Sequence, residues 1–468
     1  MTRFDVVDQP VATEAPDAQA SGSVVTEPGR RPGRTSGVRV VPLVVAVTVI
    51  AVGLLFEFLW GPLVYHDSRW FCQSDMWGMF RAAHYVGWGD LGGIYSSSNG
   101  VVTFPGMPIL LTPVAMLSGA LHLSESFPPF VLPHPTAVLL LLPVELVLGS
   151  TVVFGADALA EELGVSFRRR AALCVVVAIV AWPVVAVWGH AEDLLTMTFA
   201  FYAMRSVLRG NWVRAGWLFG AAVVVQPLVA LALPIFVATS PRGQRVLFTV
   251  RCAALSVFTV GVSFLGDPTD AFHQLVEQPT PPSFNHATPW VALAPRVDQL
   301  PTGVATSHLT TVLAHDRFVS HAMLRAVEAT PEVQGGIGRT IYIVLALLVG
   351  IYVWRRPQSV VRLLWLAGVV LGARCFFESV MTPYYLAPPL LLLLVLAARA
   401  GWRRLAPASM ISLAVTVFAY YHLSEWAWWL PVVTAMGAVM ALAYPGSDHD
   451  AGSGDARHPE PTAASMPA

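Results

Sequence analysis

The chain has 468 residues, of which 55% are hydrophobic and 12% charged, against roughly 45–50% and about 25% in an ordinary soluble domain. That balance excludes a soluble enzyme. The 28 basic side chains, all Arg, offset 29 acidic ones to a net charge of -1, so overall charge draws the chain neither to nucleic acid nor to an acidic partner.

From the start, residues 1–38 are polar, rich in Pro, Gly and Ser, and carry Arg30, Arg31 and Arg34. They read as a disordered cytoplasmic tail, too long and too polar for a secretory signal. A transmembrane helix needs about 20 mostly apolar residues to cross roughly 30 Å of hydrocarbon. Runs of that kind occur at Val40–Trp60, Thr136–Ala160, Ala171–Trp188, Leu194–Leu208, Val246–Leu265, Ile341–Trp354, Leu363–Val380, Tyr385–Ala398, Ala408–Leu423 and Trp428–Tyr444. Phe104–Leu121 and Ala215–Val237 are long enough too but contain Pro105, Pro108, Pro113, Pro227 and Pro234. The expected fold class is therefore all-α: a polytopic transmembrane helix bundle of about 10–12 membrane segments.

Arg clusters set the orientation, because short cytoplasmic loops are enriched in Arg. Arg30 to Arg39, Arg168 to Arg170, Arg205/Arg209/Arg214, Arg242/Arg245, Arg355/Arg356/Arg362 and Arg399/Arg403/Arg404 should share the inner side. The crossings between them count correctly if Phe104–Leu121 and Ala215–Val237 are broken or re-entrant, which is tolerated where such backbone lines a cavity, or if the Arg rule fails locally. The membrane domain is then residues 39–445. Two large outer loops follow, Gly61–Thr103 and Gly266–Arg339, and a disordered cytoplasmic tail, residues 446–468. Of the four cysteines, Cys174, Cys252 and Cys375 lie inside apolar runs as small core hydrophobes, and with Cys72 they make no disulfide framework.

In the first outer loop, Met76, Met79, Phe80 and Ala83 recur at helical spacing after Ser74-Asp75, which predicts an interfacial amphipathic helix capped by Ser74 or Asp75. Asp75 stands just past the first span among Trp, Tyr and His, which marks it as a candidate general base, with Asp67 as the alternative. In the second loop Trp290 suits stacking over a ligand or, equally, ordering the loop itself. His286, His308, His315 and His321 lack the paired spacing of a zinc site.

Arg374, inside an apolar run, costs about 2.5–3.5 kcal/mol at mid-membrane and so needs a cavity and a partner; Glu378, one turn on, is that partner. Either the two lock helices, or Arg374 grips a phosphate while Glu378 orients it. His190, Glu192 and Asp193 stand at a helix start, where Asp193 suits capping and the trio suits a sugar hydroxyl. Ligands at i, i+2 and i+3 with no further His or Cys pair fall short of a metal site, so none is expected. Glu57 and Glu145, inside apolar runs, are expected to satisfy a backbone or helix partner.

An Asp after the first span, an aromatic helix, Gly92-Gly93-Ile94-Tyr95 and Phe104-Pro105-Gly106-Met107-Pro108 together resemble the GT-C superfamily of polytopic glycosyltransferases. The likeness is greatest to the bacterial branch around glycosyltransferase family 87, which includes the mycobacterial polyprenyl-phosphomannose-dependent mannosyltransferases. It continues through Gly189-His190-Ala191-Glu192-Asp193, Gln226-Pro227, Arg374-x-x-x-Glu378 and Pro383-Tyr384-Tyr385-Leu386-Ala387-Pro388. Gly106 stands where the family has a second Pro, and Gln226 where it has a Lys.

The resemblance implies inverting transfer of a sugar, most naturally mannose, from a polyprenyl-phosphate donor to a glycolipid or cell-envelope glycan on the outer face of the plasma membrane. No cofactor is implied, since the lipid-linked sugar is a co-substrate. Tyr95, His190, Glu192, Asp193, Gln226, Trp290, Tyr384 and Tyr385 would contact substrate. The competing reading is a transporter or flippase of a lipid-linked saccharide, with membrane lipids as partners in both cases.

Overall fold

A computed structural model describes residues 39–60, 70, 74–96, 99, 101–125, 134–278, 280, 285–296, 333–421 and 423–446. Asp67, Cys72, His308, His315, His321 and both tails lie outside them. In chain order the helices are α1 (Val40–Trp60), α2 (Ser74–Gly87), α3 (Gly106–Ala120), α4 (Val138–Glu162), α5 (Phe167–Ala186), α6 (Ala191–Leu208), α7 (Trp212–Val225) and α8 (Leu233–Thr239). They continue with α9 (Arg245–Gly266), α10 (Pro268–Phe272), α11 (Gly336–Arg355), α12 (Val360–Phe377), α13 (Ala387–Ala400), α14 (Trp402–Phe418) and α15 (Glu425–Ala443). Among the described residues eight helices are long and apolar enough to cross a membrane: α1, α4, α5, α9, α11, α12, α15, and α13 with the turn before it.

The bundle is centred on α13. Pro388 and Pro389 fall in its first turn, where a missing N–H breaks no helical bond, and every residue from Ala387 to Ala398 is buried. It packs against α4, α5, α6, α12, α14 and α15. By contrast α1 buries only a stripe against α4 and α5 and is otherwise exposed Val and Leu, as a helix facing lipid tails should be.

The two ends of the bundle differ chemically. At one end Arg39 pairs with Asp157 (3.1 Å) and Glu161 (2.8 Å), and Arg170 grips Asp157. Arg205 and Arg209 meet Glu162 at 3.2 and 2.8 Å. Arg169 caps the last carbonyls of α13 at Ala398. The Arg clusters of four separate segments thus share one end, as the charge rule requires. The other end carries Asp75, His190, Arg339 and Arg374.

The segment from 212 to 239 leaves the Arg-rich end and returns to it. Trp212 packs on Phe248 at the start of α9. Gln226-Pro227 breaks the helix midway, a short 3-10 turn (Pro227–Ala232) follows, and α8 then runs back along α11. Ala215–Val237 is thus broken at Gln226-Pro227, one of the two forms expected of it. Its broken end is patched from outside: Thr103 Oγ1 donates to the Val225 carbonyl (3.3 Å) and to Gln226 Oε1 (3.1 Å), and Thr196 Oγ1 donates to the Ala222 carbonyl (2.7 Å). Gly106 lies so close that a Cβ there would stand 2.4 Å from the Val224 carbonyl oxygen.

Two expectations need correction. Phe104–Leu121, expected to be broken or re-entrant, is not broken: Pro105 and Pro108 serve the first turn of α3, and Pro113 is accommodated within a continuous 15-residue helix, which is not among the eight spans. And α2 is not a surface helix with one wet face. Met76, Trp77, Met79, Phe80, Ala82 and Ala83 are all buried, because α3 and the 3-10 turn Gly92–Tyr95 cover the side that periodicity alone would leave open.

Candidate active site

Asp75 opens α2, and its carboxylate accepts from His190 Nε2 at 2.7 Å while staying about half exposed. His190 occupies the tight turn between α5 and α6, where Gly189 takes a positive φ of 71° that lets the chain reverse. Its other nitrogen, Nδ1, lies 2.5 Å from Glu192 Oε1. Burial alone would favour the neutral ring, but the charge of Glu192 and the hydrogen bonds from Asp75 and Glu192 outweigh it, so His190 holds its proton well above the usual 6.5.

An aromatic stair connects this acidic corner to a basic one. The His190 ring stacks on Tyr384 (3.8 Å between centroids), Tyr384 meets Tyr385 edge-on (4.9 Å), and the Arg374 guanidinium lies 3.4 Å over the Tyr385 ring. The chain reaches this arrangement because α12 ends at Phe377, so Glu378 turns back onto Arg374 and a 3-10 turn, Pro383–Leu386, presents both tyrosines.

Glu378 serves three donors. Its Oε2 accepts from Arg374 Nε (2.9 Å) and from Tyr342 OH (3.2 Å), and its Oε1 faces Arg339 Nη2 at 3.6 Å. Two guanidiniums therefore share one carboxylate, which leaves a surplus positive charge. The Arg374 terminal nitrogens hydrogen-bond to nothing among the described residues, and Arg339 Nε is likewise without a partner. A fork-shaped, uncommitted donor pair of this kind suits an anion with several oxygens.

Both corners open into one cavity of about 550 Å³. Asp75, His190, Glu192, Gln226, Arg339, Arg374, Tyr384 and Tyr385 line its polar part. Leu228, Leu231, Pro234, Ile343, Ala346 and Leu347 line an apolar branch between the broken hairpin and α11. Ile343 and Leu347 are about half exposed, so that branch opens sideways on the flank of the bundle. Gln278, at φ 45° after a π turn, closes the cavity rim by donating to the Val102 carbonyl at 2.7 Å, tying the segment after α10 to the one before α3.

The cavity gathers most of the expected site residues, but not all. Asp193 and Glu378 stand behind its wall. Tyr95 is fully buried and spends its hydroxyl on the Thr103 carbonyl, which makes it a support of the first loop. Trp290 donates to the Phe376 carbonyl and packs on Phe377, so it fastens the second loop instead of covering a sugar. Asp193 faces the Gln226 amide and takes no capping bond. Glu145 faces the Ala191 amide, a backbone neighbour of the kind expected, without closing a full hydrogen bond.

Sequence reasoning missed Arg339, Tyr342, Thr103 and Gln278. Arg339 carried a usable signal: it stands at the entry to an apolar run on the outer side, where the charge rule places no Arg. Comparison of the chain with family models, with curated proteins and with solved structures finds no match, so the functional reading rests on the site's own chemistry.

Proposed function

We propose that the chain is an integral membrane glycosyltransferase that moves a sugar, most naturally mannose, from a polyprenyl-phosphate donor to a glycolipid or cell-envelope glycan. Transfer takes place on the outer face of the plasma membrane, with both termini in the cytoplasm. The observation that carries this is the two-part cavity. A lateral apolar branch fits a prenyl chain, the Arg339/Arg374 corner fits its phosphate, and a half-exposed carboxylate waits at the far side.

In the reaction, the acceptor hydroxyl attacks the anomeric carbon from the face opposite the phosphate, and the bond from that carbon to the phosphate oxygen breaks. The electron pair leaves on the phosphate, where two guanidiniums meet the growing charge. Asp75 takes the hydroxyl proton. His190 fixes the Asp75 carboxylate at the cavity wall, and the single displacement inverts the configuration.

The test is release of polyprenyl phosphate from a labelled polyprenyl-phospho-sugar by purified protein. Asp75→Asn keeps the shape and removes the proton acceptor, so turnover should fall by about 10²–10⁴-fold. Retention of more than about a tenth of the activity would remove Asp75 from this role. Movement of intact lipid-linked saccharide across vesicles, with no release, would favour the flippase reading.

A further inference from the structure

We infer that His190, Glu192 and Asp193 form a site for one divalent cation of the Mn²⁺ or Mg²⁺ class, set just behind the Asp75 wall of the cavity. The inference goes beyond the transferase reading and does not rest on it. One ligand atom from each of the three residues lies within 4.8 Å of the others, about the widest separation that bonds of roughly 2.0–2.4 Å can bridge across a metal. Glu192 and Asp193 are 1% exposed and His190 7%.

Three neighbouring acidic or imidazole groups are common without an ion. Here a buried oxygen is also left over. Oε2 of Glu192 is buried with no hydrogen-bond partner, and Asp193 faces the Gln226 amide without closing a full hydrogen bond. Glu145 adds a separate sign from another helix. It lies on α4, is 1% exposed, and faces the Ala191 amide at the start of α6 without closing a full hydrogen bond. Two buried carboxylates therefore adjoin one imidazole, and Glu145 stands beyond them. The Arg374 guanidinium acts on Asp193 but spends its Nε on Glu378.

The histidine is turned correctly for the task. Its Nε2 faces Asp75 at 2.7 Å, and its Nδ1 faces Glu192. With the proton on Nε2, donated to Asp75, the Nδ1 lone pair points at the acidic pocket, and a carboxylate, an imidazole and a metal stand in line. Seating the cation requires Glu192 Oε1 to withdraw from its present 2.5 Å to a ligand-to-ligand spacing of about 3 Å. Its unpaired Oε2 can then turn inward. One nitrogen and several carboxylate oxygens suit Mn²⁺ or Mg²⁺. A consequence for the neighbouring base follows: His190 is then neutral, and Asp75 accepts from a neutral donor, which leaves it the stronger base.

The experiment strips purified full-length protein with EDTA, titrates it with Mn²⁺, and reads bound metal by electron paramagnetic resonance, with Mg²⁺ and Zn²⁺ as competitors. The expected result is one Mn²⁺ per chain, displaced by Mg²⁺. Asp193→Asn and Glu145→Gln should each weaken binding by about 10-fold or more, and Glu277→Gln, far from the site, should not. Wild-type occupancy is scored first, so a variant that fails to fold does not decide the matter. Wild-type protein that retains no Mn²⁺ overturns the inference, as does equal binding in wild type and in a folded Asp193→Asn. A site that takes Zn²⁺ and refuses Mn²⁺ overturns the ion class. Polyprenyl phosphate release is measured separately: Mn²⁺ binding without release sinks the transferase reading alone, and release that persists with no metal bound sinks the cation site alone.

Discussion

Replacing Glu378 by Gln separates a helix lock from an anion site. The wild-type carboxylate is 4% exposed and balances Arg374, 12% exposed, and Arg339, 21% exposed. The amide keeps the shape and can still accept from Tyr342, but the two guanidiniums lose the carboxylate that contacts both of them among the described residues. Removing one partner of a buried ion pair costs about 3–5 kcal/mol, and because Arg339 reaches the cavity the loss should fall near the lower end, about 3 kcal/mol. The measurement is denaturant or thermal unfolding in one fixed detergent, with and without dodecyl phosphate. If the corner binds phosphate, its surplus charge rises from one to two in the variant. The added anion should then return about 2.7 kcal/mol at a hundred times its dissociation constant, and more in the variant than in wild type. Equal stability of the two proteins, or an equal response to the anion, would refute the two-guanidinium account.

Three further outcomes are expected. In EDTA-stripped protein, because His190 holds its proton well above 6.5, its stabilising charge is fully present below pH 6.5 and is lost as pH rises through the raised value; melting temperature followed against pH should show that step in wild type and not in His190→Gln. Gly338→Ala places a Cβ 1.7 Å from the Phe377 carbonyl oxygen, so α11 and α12 must part beside Arg339 and Glu378, at a cost of about 1–3 kcal/mol; unchanged unfolding would contradict that packing. In a Cys72→Ser background, Thr269→Cys should react with an impermeant maleimide on intact cells and Arg403→Cys only after permeabilisation, while the reverse pattern would invert the topology.

Most long apolar helices were legible because a membrane span must be long and apolar, and Pro227 marked the helix break. The expected spans Leu194–Leu208 and Ala408–Leu423, however, lie in helices outside the eight that qualify among the described residues. The depth of α2 was not legible, since periodicity reports an apolar face and says nothing of what covers the opposite one. Asp75, His190 and Arg374 could be named singly as chemically costly residues. Their union could not be read, because it depends on the turn at Gly189 and on α12 stopping one residue before Glu378. Tyr95 and Trp290 show the opposite failure: aromatic residues in outer loops attract a functional reading, yet their polar atoms are spent on Thr103 and Phe376.

The patch on the broken hairpin constrains how such a protein could be re-engineered. Thr103 belongs to the first outer loop, yet its hydroxyl satisfies the Val225 carbonyl and Gln226 deep in the bundle, and Gly106 is small because the Val224 backbone passes beside it. The outer loop and the hairpin are therefore one part made from two distant stretches of chain. A chimera that exchanges residues 61–103 as a cassette, to change the acceptor, would orphan backbone oxygens at membrane depth unless residues 212–239 are exchanged with it.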